Sequence, residues 1–512
     1  MYKLCGSKPL SKNRQVNEDV NQQAPLIFTF AAYLLLILGL GIAAYRRTHN
    51  LGDYLLGGRK LGPVITALSV GASDMSGWLL LGLPGAIYLA GMSEVWIGVG
   101  LLIGAYCNWL FVAKRLRIYT QRAEDSLTLP DYFENRFQDK TRALRLISAM
   151  VILVFFTFYT ASGLVGGAIL FENSFGLNYR FALLTGAFII VSYTFIGGFL
   201  AVVWTDALQA LLMLAALFFA PLAVLSSAGG MDQVWQQMQA INPGSTQLFN
   251  GVSLISFISL TAWGLGYVGQ PHILARFMAA EDPGKLKYSR RIAMSWMVVV
   301  LLGSVLTGLA GIAYFADQPL TNPETVFIAL SHNLFNPWVA GVITAAILSA
   351  IMSTIDSQLL VSSSVISEDF YRVFFRPEAS DKELLAVSRG AVIMIALIAL
   401  IIASDRESRV LDLVSYAWAG FGAAFGPPIL FSLFLRKMTA MAAVVGMTIG
   451  AVTVLVWSSL SGGLFDLYEI VPGFALASLA IVLITKFKPE STTSVLAEFD
   501  EVKRLNAQLE AL

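Results

Sequence analysis

Charge is scarce in this chain. Lys and Arg number 34 and Asp and Glu 33 among 512 residues, 13% in all, where a water-soluble domain carries about 25%. With 56% hydrophobic residues and a mean hydropathy of +0.70, the solvent that accepts the remaining surface is a lipid bilayer. A net charge of +1 gives no reason to expect a nucleic-acid partner. Cysteine is almost missing: Cys5 and Cys107 lie far apart, Cys107 within an apolar stretch, so neither a disulfide framework nor a CxxC metal site is present. Three scattered histidines, His49, His272 and His332, do not make a metal cluster. There is no HExxH or GxSxG, and Ser73 and Ser76 have no histidine near them in sequence, which disfavours an enzyme. Residues 1–24 lack the apolar core and cleavage site of a signal peptide and read as a disordered polar tail.

What the chain has in quantity is apolar segments. Thirteen are legible, at roughly 25–45, 61–90, 94–113, 143–171, 180–199, 206–228, 251–272, 291–315, 337–363, 386–404, 410–434, 439–459 and 469–486. The fold class expected is an all-α integral membrane protein with a membrane domain over 25–487. With the amino terminus outside, 27 Lys and Arg fall on the inner side and 7 on the outer, which fits the positive-inside rule and puts the carboxyl terminus in the cytoplasm. Residues 488–512 form a cytoplasmic tail. Within it Val495, Leu496, Phe499, Val502 and Leu505 recur at helical spacing, and the segment reads as solvated.

Span two carries an aspartate at its middle, in Gly71-Ala72-Ser73-Asp74-Met75-Ser76-Gly77. An ionisable group at membrane depth costs about 2.5 kcal/mol or more and marks an ion or substrate pathway by default. Its flanking glycines and serines predict an interrupted helix, and irregular backbone survives there only when buried in protein or lining a wet cavity. Span seven matches it, with three glycines and a proline in Trp263 to Pro271. Paired breaks at corresponding places in two halves are the sequence pointer to a secondary carrier's site. Spans 2–6 and 7–11 (about 61–228 and 251–434) would form a 5+5 inverted repeat, with spans 1, 12 and 13 outside it.

The unwound backbone near Ala72 and Met75 offers carbonyl oxygens, which suit a hard cation such as sodium. In span nine Ala350, Ser353, Thr354 and Ser357 fall at i, i+3, i+4 and i+7 on one helix face, so a carbonyl and two hydroxyls there complete a five-oxygen shell. Asp74, between the two span-two donors, balances the charge. Asp206, at the inner start of span six, and Asp356 are expected to cap a helix and to bond a neighbouring span, or else to meet Ser357 on the cytoplasmic side as an exit relay or second ion position. Trp263 and Tyr267, four residues apart, offer ring faces beside the second break, with Tyr159 a third aromatic.

Several runs are recognisable as they stand: DYLLGGR at 53–59, GASDMSGWLLLGLP at 71–84, LTLPDYF at 127–133, IGGFLAVVWTD at 196–206, WGLGYVGQPHILARFMA at 263–279 and SYAWAGFGAAFG at 415–426. On these the chain is similar to the bacterial sodium/proline symporters of the sodium/solute symporter family, from about residue 25 to 485. The resemblance implies a leucine-transporter-like fold, L-proline as substrate, Na+ as co-transported ion, and a multi-pass place in the bacterial cytoplasmic (inner) membrane. It also implies ion ligands at Ala72, Met75, Ala350, Ser353 and Thr354, and proline contacts at Tyr159, Trp263, Tyr267 and Pro271. Asp74 would be the essential aspartate, with Ser76 and Gly77 beside it and Arg59 tied to sodium coupling on the inner side. Asp356 departs from the pattern, which often has serine there. The rival readings are a sodium symporter for another solute, a proton-coupled carrier, and a channel; the last is disfavoured because no charge ring or filter loop is visible. No protein partner is evident.

Overall fold

The computed structural model describes residues 12–45, 51–194, 198–490 and 492–510, and among these the regular structure is helical apart from one isolated bridge between Leu61 and Ala280. Among the described residues, ten helices are long and apolar enough to cross a membrane, and two shorter apolar helices, Tyr179–Ser192 and Leu254–Gly269, accompany them. The helices that build the centre are α1 (Lys12–Tyr45), α2 (Pro63–Asp74), α3 (Leu83–Ala90), α4 (Val95–Cys107), α5 (Ala113–Arg122), α6 (Ala143–Phe175), α7 (Phe199–Ser227), α8 (Leu254–Thr261), α9 (Pro271–Met278), α10 (Leu286–Tyr314), α11 (Pro337–Ser364) and α12 (Val410–Phe434). Of these, α11 and α12 form the core. α11 is buried from Ile343 through Leu360 and packs on α1, α6 and α7. α12 is buried from Ala417 through Ile429 and packs on α6 and on the segment after α8. Their N-termini are satisfied in different ways: Asn336 Oδ1 accepts from the amides of Trp338 and Val339, while both Glu324 oxygens accept from Val410 and Leu411 at 3.0 Å.

Both expected breaks are present. Span two begins at Pro63, in the first helical turn where a missing N–H costs nothing, and leaves helical geometry at Met75 (φ −84°, ψ 78°). It resumes through a π-turn, Trp78–Gly82, into α3, and ends at Gly91, whose φ of +78° suits a residue without a Cβ. Span seven runs as α8, a 3₁₀ stretch over Ala262–Gly269, an extended Gln270, and α9 opening on Pro271. The glycines of this stretch also permit close packing: a Cβ on Gly104 of α4 would overlap the backbone of Gly264, the close approach that small residues allow between membrane helices.

Four expectations need correction. Span seven does not stop near residue 272 but continues as α9 to Met278, so Arg276, counted with the inner connections, is a buried residue of a helix. Span six starts at Phe199 rather than 206; Asp206 therefore lies two turns inside α7 and does not cap it. The polar tail is helical from Lys12 onward, continuous with the apolar part of α1, while residues 1–11 lie outside the described residues. The carboxyl-terminal segment is docked, not solvated. Its helix α13 (Thr493–Glu510) buries Val495, Phe499 and Val502 and packs on α5, with Phe499 lying against the Tyr119 ring. The ion pairs Arg122–Glu501, Lys114–Glu510 and Arg436–Asp500 flank that stripe. An amphipathic stripe finds apolar surface wherever the fold presents it, and that surface is assembled from distant segments.

Burial pushes the Glu498 carboxyl on α13 up to about 7; Arg136 opposes the shift, and Glu124 and Glu501 add to it. The docked helix thus binds this proton more tightly than the free one. Docking is strongest below the ordinary carboxyl value and weakens as pH rises through about 7. A spin label at Lys503 should become more mobile between about pH 5 and 8, and Glu498→Gln should flatten that response.

Candidate functional site

At the end of α2 the amide of Met75 closes the last helical turn on Gly71 O, but the next amide, Ser76 N–H, turns back to Asp74 O at 3.1 Å. Ser76 is the residue whose amide would bond Ala72 O in a continuous helix. That carbonyl instead accepts the Ser353 hydroxyl of α11 at 2.8 Å. Ser353 also donates to Ala350 O at 3.1 Å, and Thr354 Oγ1 donates to the same carbonyl at 3.3 Å. The ordinary habit of membrane Ser and Thr, bonding their own preceding turn, and the contact across the bundle therefore coexist. Ala72, Ala350, Ser353 and Thr354 come together as a group of neutral oxygens, and Met75 is buried at the break beside them.

Asp74 points elsewhere. Its Oδ2 accepts from Tyr267 Oη at 2.6 Å, and its backbone carbonyl from Trp78 Nε1 at 3.1 Å. Tyr267 is in turn held at its carbonyl by Asn108 Nδ2 at 3.0 Å and packs edge-on against Trp418 of α12 at 5.1 Å. Trp418 Nε1 donates to Trp263 O at 2.7 Å, and the Trp263 ring stacks on Tyr468 at 5.5 Å. The Tyr159 hydroxyl, buried on α6, lies beside Ser76 and Asp74, and its ring meets His272 edge-on. Tyr159, Trp263 and Tyr267 thus share one aromatic neighbourhood at the two breaks. Pro271 does not join it: it lines a separate cavity with Thr128, Ile152, Arg276 and Ser357. Gly77 packs against Ile351 of α11.

Below the breaks lies a buried ionic network built around Arg276. Its Nη2 donates to Asp206 Oδ2 at 2.8 Å and to Ser357 Oγ at 2.6 Å, Nε to Ser69 Oγ at 2.7 Å, and Nη1 to His272 O at 2.7 Å. Ser69 completes the circuit by donating to Asp206 Oδ2 at 2.6 Å. Asp206 and Ser357 are joined through a guanidinium rather than directly. Asp356 lies toward α1, within electrostatic reach of Tyr33, whose hydroxyl accepts from Gln209. Arg59, just before α2, bonds Asp125 Oδ1, Ser126 O and Met278 O at 2.6–2.7 Å. Next to it Leu61 exchanges backbone bonds with Ala279 and Glu281, so the chain entering span two is fastened to the end of α9.

Sequence reasoning missed Arg276, Asn108, Trp418 and Tyr468. Asn108 did leave a signal, as a lone amide inside an apolar span; Arg276 sat too close to a span edge to be separated from the loop; the two aromatics left none.

Residues 54–450 match the sodium:solute symporter family. The sodium/proline symporter of Salmonella typhimurium is 52% identical over 481 residues, covering 93% of this chain and 95% of that protein. The high-affinity proline transporter of Bacillus subtilis is 49% identical over 475 residues, covering 92% and 100%. Among solved structures, a substrate-bound, outward-open Na+-coupled sialic acid symporter aligns with a TM-score of 0.77 at 18% identity, covering 91% of this chain and 99% of that one. MhsT in complex with L-phenylalanine aligns at 0.53 and 14% identity, covering 83% and 98%. These two likenesses establish the fold.

Removing one partner of a buried pair strands the other. Arg276→Met should lower stability by about 3–5 kcal/mol, read as a fall in the thermal midpoint in detergent. Adding Asp206→Leu to it should recover at least half of that loss.

Proposed function

Because the chain belongs to the sodium:solute symporter family, we propose that it carries L-proline into the cell together with Na+, by alternating access around the two helix breaks. Sodium/proline symport is the activity named for relatives that share about half of its residues over nearly its whole length. The observation that carries the assignment of the ion's seat is the 2.8 Å contact between Ser353 Oγ and Ala72 O. It brings neutral oxygens from two helices together where a partly dehydrated cation needs them. In this reading Ala72, Met75 and Ala350 supply carbonyls, Ser353 and Thr354 supply hydroxyls, and Asp74 balances the charge from the next turn.

Proline is a zwitterion with an apolar ring. Its carboxylate suits amides at a broken helix end, its ammonium an aromatic face, and its ring the surfaces of Tyr159, Trp263 and Tyr267, to which Trp418 and Tyr468 are now added. Pro271 then acts by setting the start of α9 rather than by touching substrate. Arg59, Leu61 and the Ala279–Glu281 segment form the inner gate, which is fastened in this conformation, and the Arg276–Asp206–Ser357 network joins spans two, six, seven and nine just above it. Ser76 and Gly77 provide the hinge at which span two bends, and Asp356 tunes the inner half of α11. Sodium draws α2 toward α11, and occupancy by both cargoes then favours release of the inner gate.

The topology consistent with this reading has thirteen passes. Trp78–Arg122 counts as two, divided at Gly91, and spans 2–6 and 7–11 are the inverted repeats. The amino terminus is outside and the carboxyl terminus in the cytoplasm of a bacterial inner membrane. One sodium per neutral proline moves one charge, so about 100 mV supplies about 2.3 kcal/mol and roughly 40-fold accumulation before any sodium gradient is added.

Labelled proline uptake into proteoliposomes tests this. Uptake should require an inward sodium gradient, and Thr354→Ala should raise the half-saturating sodium concentration about tenfold or more, a loss of about 1.4 kcal/mol. Equal uptake driven by a proton gradient without sodium would overturn the reading.

A further inference from the structure

Around the start of α10 stand four cations, Lys285, Lys287, Arg290 and Arg291. Lys285 pairs with Glu281 at 2.8 Å, and Asp282 accepts the amide of Gly284 at 2.7 Å. Among the described residues, Lys287, Arg290 and Arg291 have no carboxylate within ion-pair distance. The first turn of α10 holds no acidic residue, although the amino end of a helix disfavours added positive charge.

These three side chains lie against exposed tyrosines instead. Lys287 Nζ is 5.5 Å and Arg291 Cζ 6.0 Å from the centroid of the Tyr288 ring. Arg290 Cζ is 5.6 Å from the ring of Tyr106, on the neighbouring helix α4. Both rings are close to half exposed, and at exposed sites a ring face offsets little of a cation's charge. The patch stays positive.

The exposed surface beside it is apolar on both helices. Span three exposes Ile103, Leu110 and Phe111 around Tyr106. On α10, Val298 and Leu302 are exposed and share one face with Arg291, at i+7 and i+11. Span three turns basic only at Lys114 and Arg115, and these already have partners, Glu510 at 3.4 Å and the Phe434 ring at 4.2 Å. Tyrosine and cations next to an apolar strip are the composition of a span at the headgroup level.

We propose that Lys287, Arg290 and Arg291, with Tyr106 and Tyr288, hold the headgroup of an anionic phospholipid whose acyl chains lie along the two apolar strips. The phosphate accepts from planar guanidinium groups, a geometry that lysine alone does not supply. A free phosphate matches only the cations, whereas a phospholipid matches both the cations and the strips. In the topology proposed above this is the inner leaflet, and only that assignment rests on it. α10 packs on α2 and α3, and its Trp296 fills the space that a Cβ on Gly71 would need. The lipid thus anchors the helix that backs the span-two break.

Native mass spectrometry in a mild detergent tests this, with phosphatidylglycerol and phosphatidylcholine of identical acyl chains titrated in turn. Wild type should bind phosphatidylglycerol about tenfold or more tightly than phosphatidylcholine. Each cation near the surface contributes about a fivefold factor toward anionic lipid. Arg290→Gln combined with Arg291→Gln should therefore weaken phosphatidylglycerol about tenfold or more and leave phosphatidylcholine within about twofold. Lys486→Gln with Lys488→Gln, an exposed basic pair elsewhere, should leave both lipids within about twofold. If the double arginine variant does not fold, Arg291→Gln alone, at an exposed position, takes its place with a loss of about fivefold. Equal binding of the two lipids, or an unchanged phosphatidylglycerol constant in the arginine variant, would overturn the proposal. So would equal weakening in the lysine pair, which would mean diffuse attraction to any basic surface, or displacement of the lipid by an equal concentration of inorganic phosphate. The assay contains neither sodium nor proline, so its failure leaves the symport reading standing, and a failed proline-uptake experiment leaves the lipid site standing.

Discussion

A helix that stops near the middle of its span must dispose of the carbonyls it leaves behind, and in a medium without water it must do so within the protein. Here the Ser76 amide folds back on Asp74 O, and the Ala72 carbonyl it would have served is taken up by a hydroxyl of the central helix α11. This bond ties the break of span two to one of the two most deeply buried helices among the described residues. Without it α2 and α3 would be two short segments with unmatched ends. With it the break becomes a defined geometry in which the liberated oxygens face a neighbour that also offers oxygen.

The rest of the packing keeps that break sealed. Span seven, equally interrupted, lies against α4 at backbone contact through Gly100, Gly104 and Gly264, and Gln270 Nε2 donates to Gly266 O at 3.2 Å and Trp418 O at 3.4 Å to hold its extended residue in place. The irregular backbone of span seven is thus sealed by close approach to a regular helix and by a side-chain amide. The aromatic set behaves in the same way. Trp418, central in α12, bonds the backbone of one break residue and packs on the ring of another, so the pocket walls and the break form one rigid unit.

Much of this was legible because two signals survive without tertiary information. A carboxylate amid glycine and serine at membrane depth is too costly to be incidental, and the 3.6-residue period placed Ala350, Ser353, Thr354 and Ser357 on one face before any partner was known. The similarity of long runs to known symporters added the aromatic residues. What stayed hidden depended on distant pairing. Arg276 lies five residues beyond Pro271 near the edge of an apolar segment, and hydropathy assigns such a residue to the loop; only the packing of α9 against α2, α7 and α11 buries it. Asp206 seemed terminal because the residues before it, Phe199 to Thr205, belong to a helix whose start carries no side-chain cap. The docking of α13 depends on a surface made from α5 and Arg136, which no local pattern announces.

The embedded carboxylates show why the site sits where it does. Asp206 is matched by Arg276 within 2.8 Å and joined by Ser69, so its charge is settled inside the protein. The circuit is a structural joint between spans two, six, seven and nine. Asp74, likewise buried, has a tyrosine hydroxyl as its partner, and among the described residues no basic side chain acts on it. A tyrosine hydroxyl stabilises a carboxylate without neutralising it. In a low-dielectric interior an ionised Asp74 therefore depends on a positive charge that arrives from outside. Proline, a zwitterion, brings no net charge. In the proposed mechanism sodium is thus required to settle the electrostatics of the binding site before the cargo is enclosed, and this requirement is a physical basis for coupling.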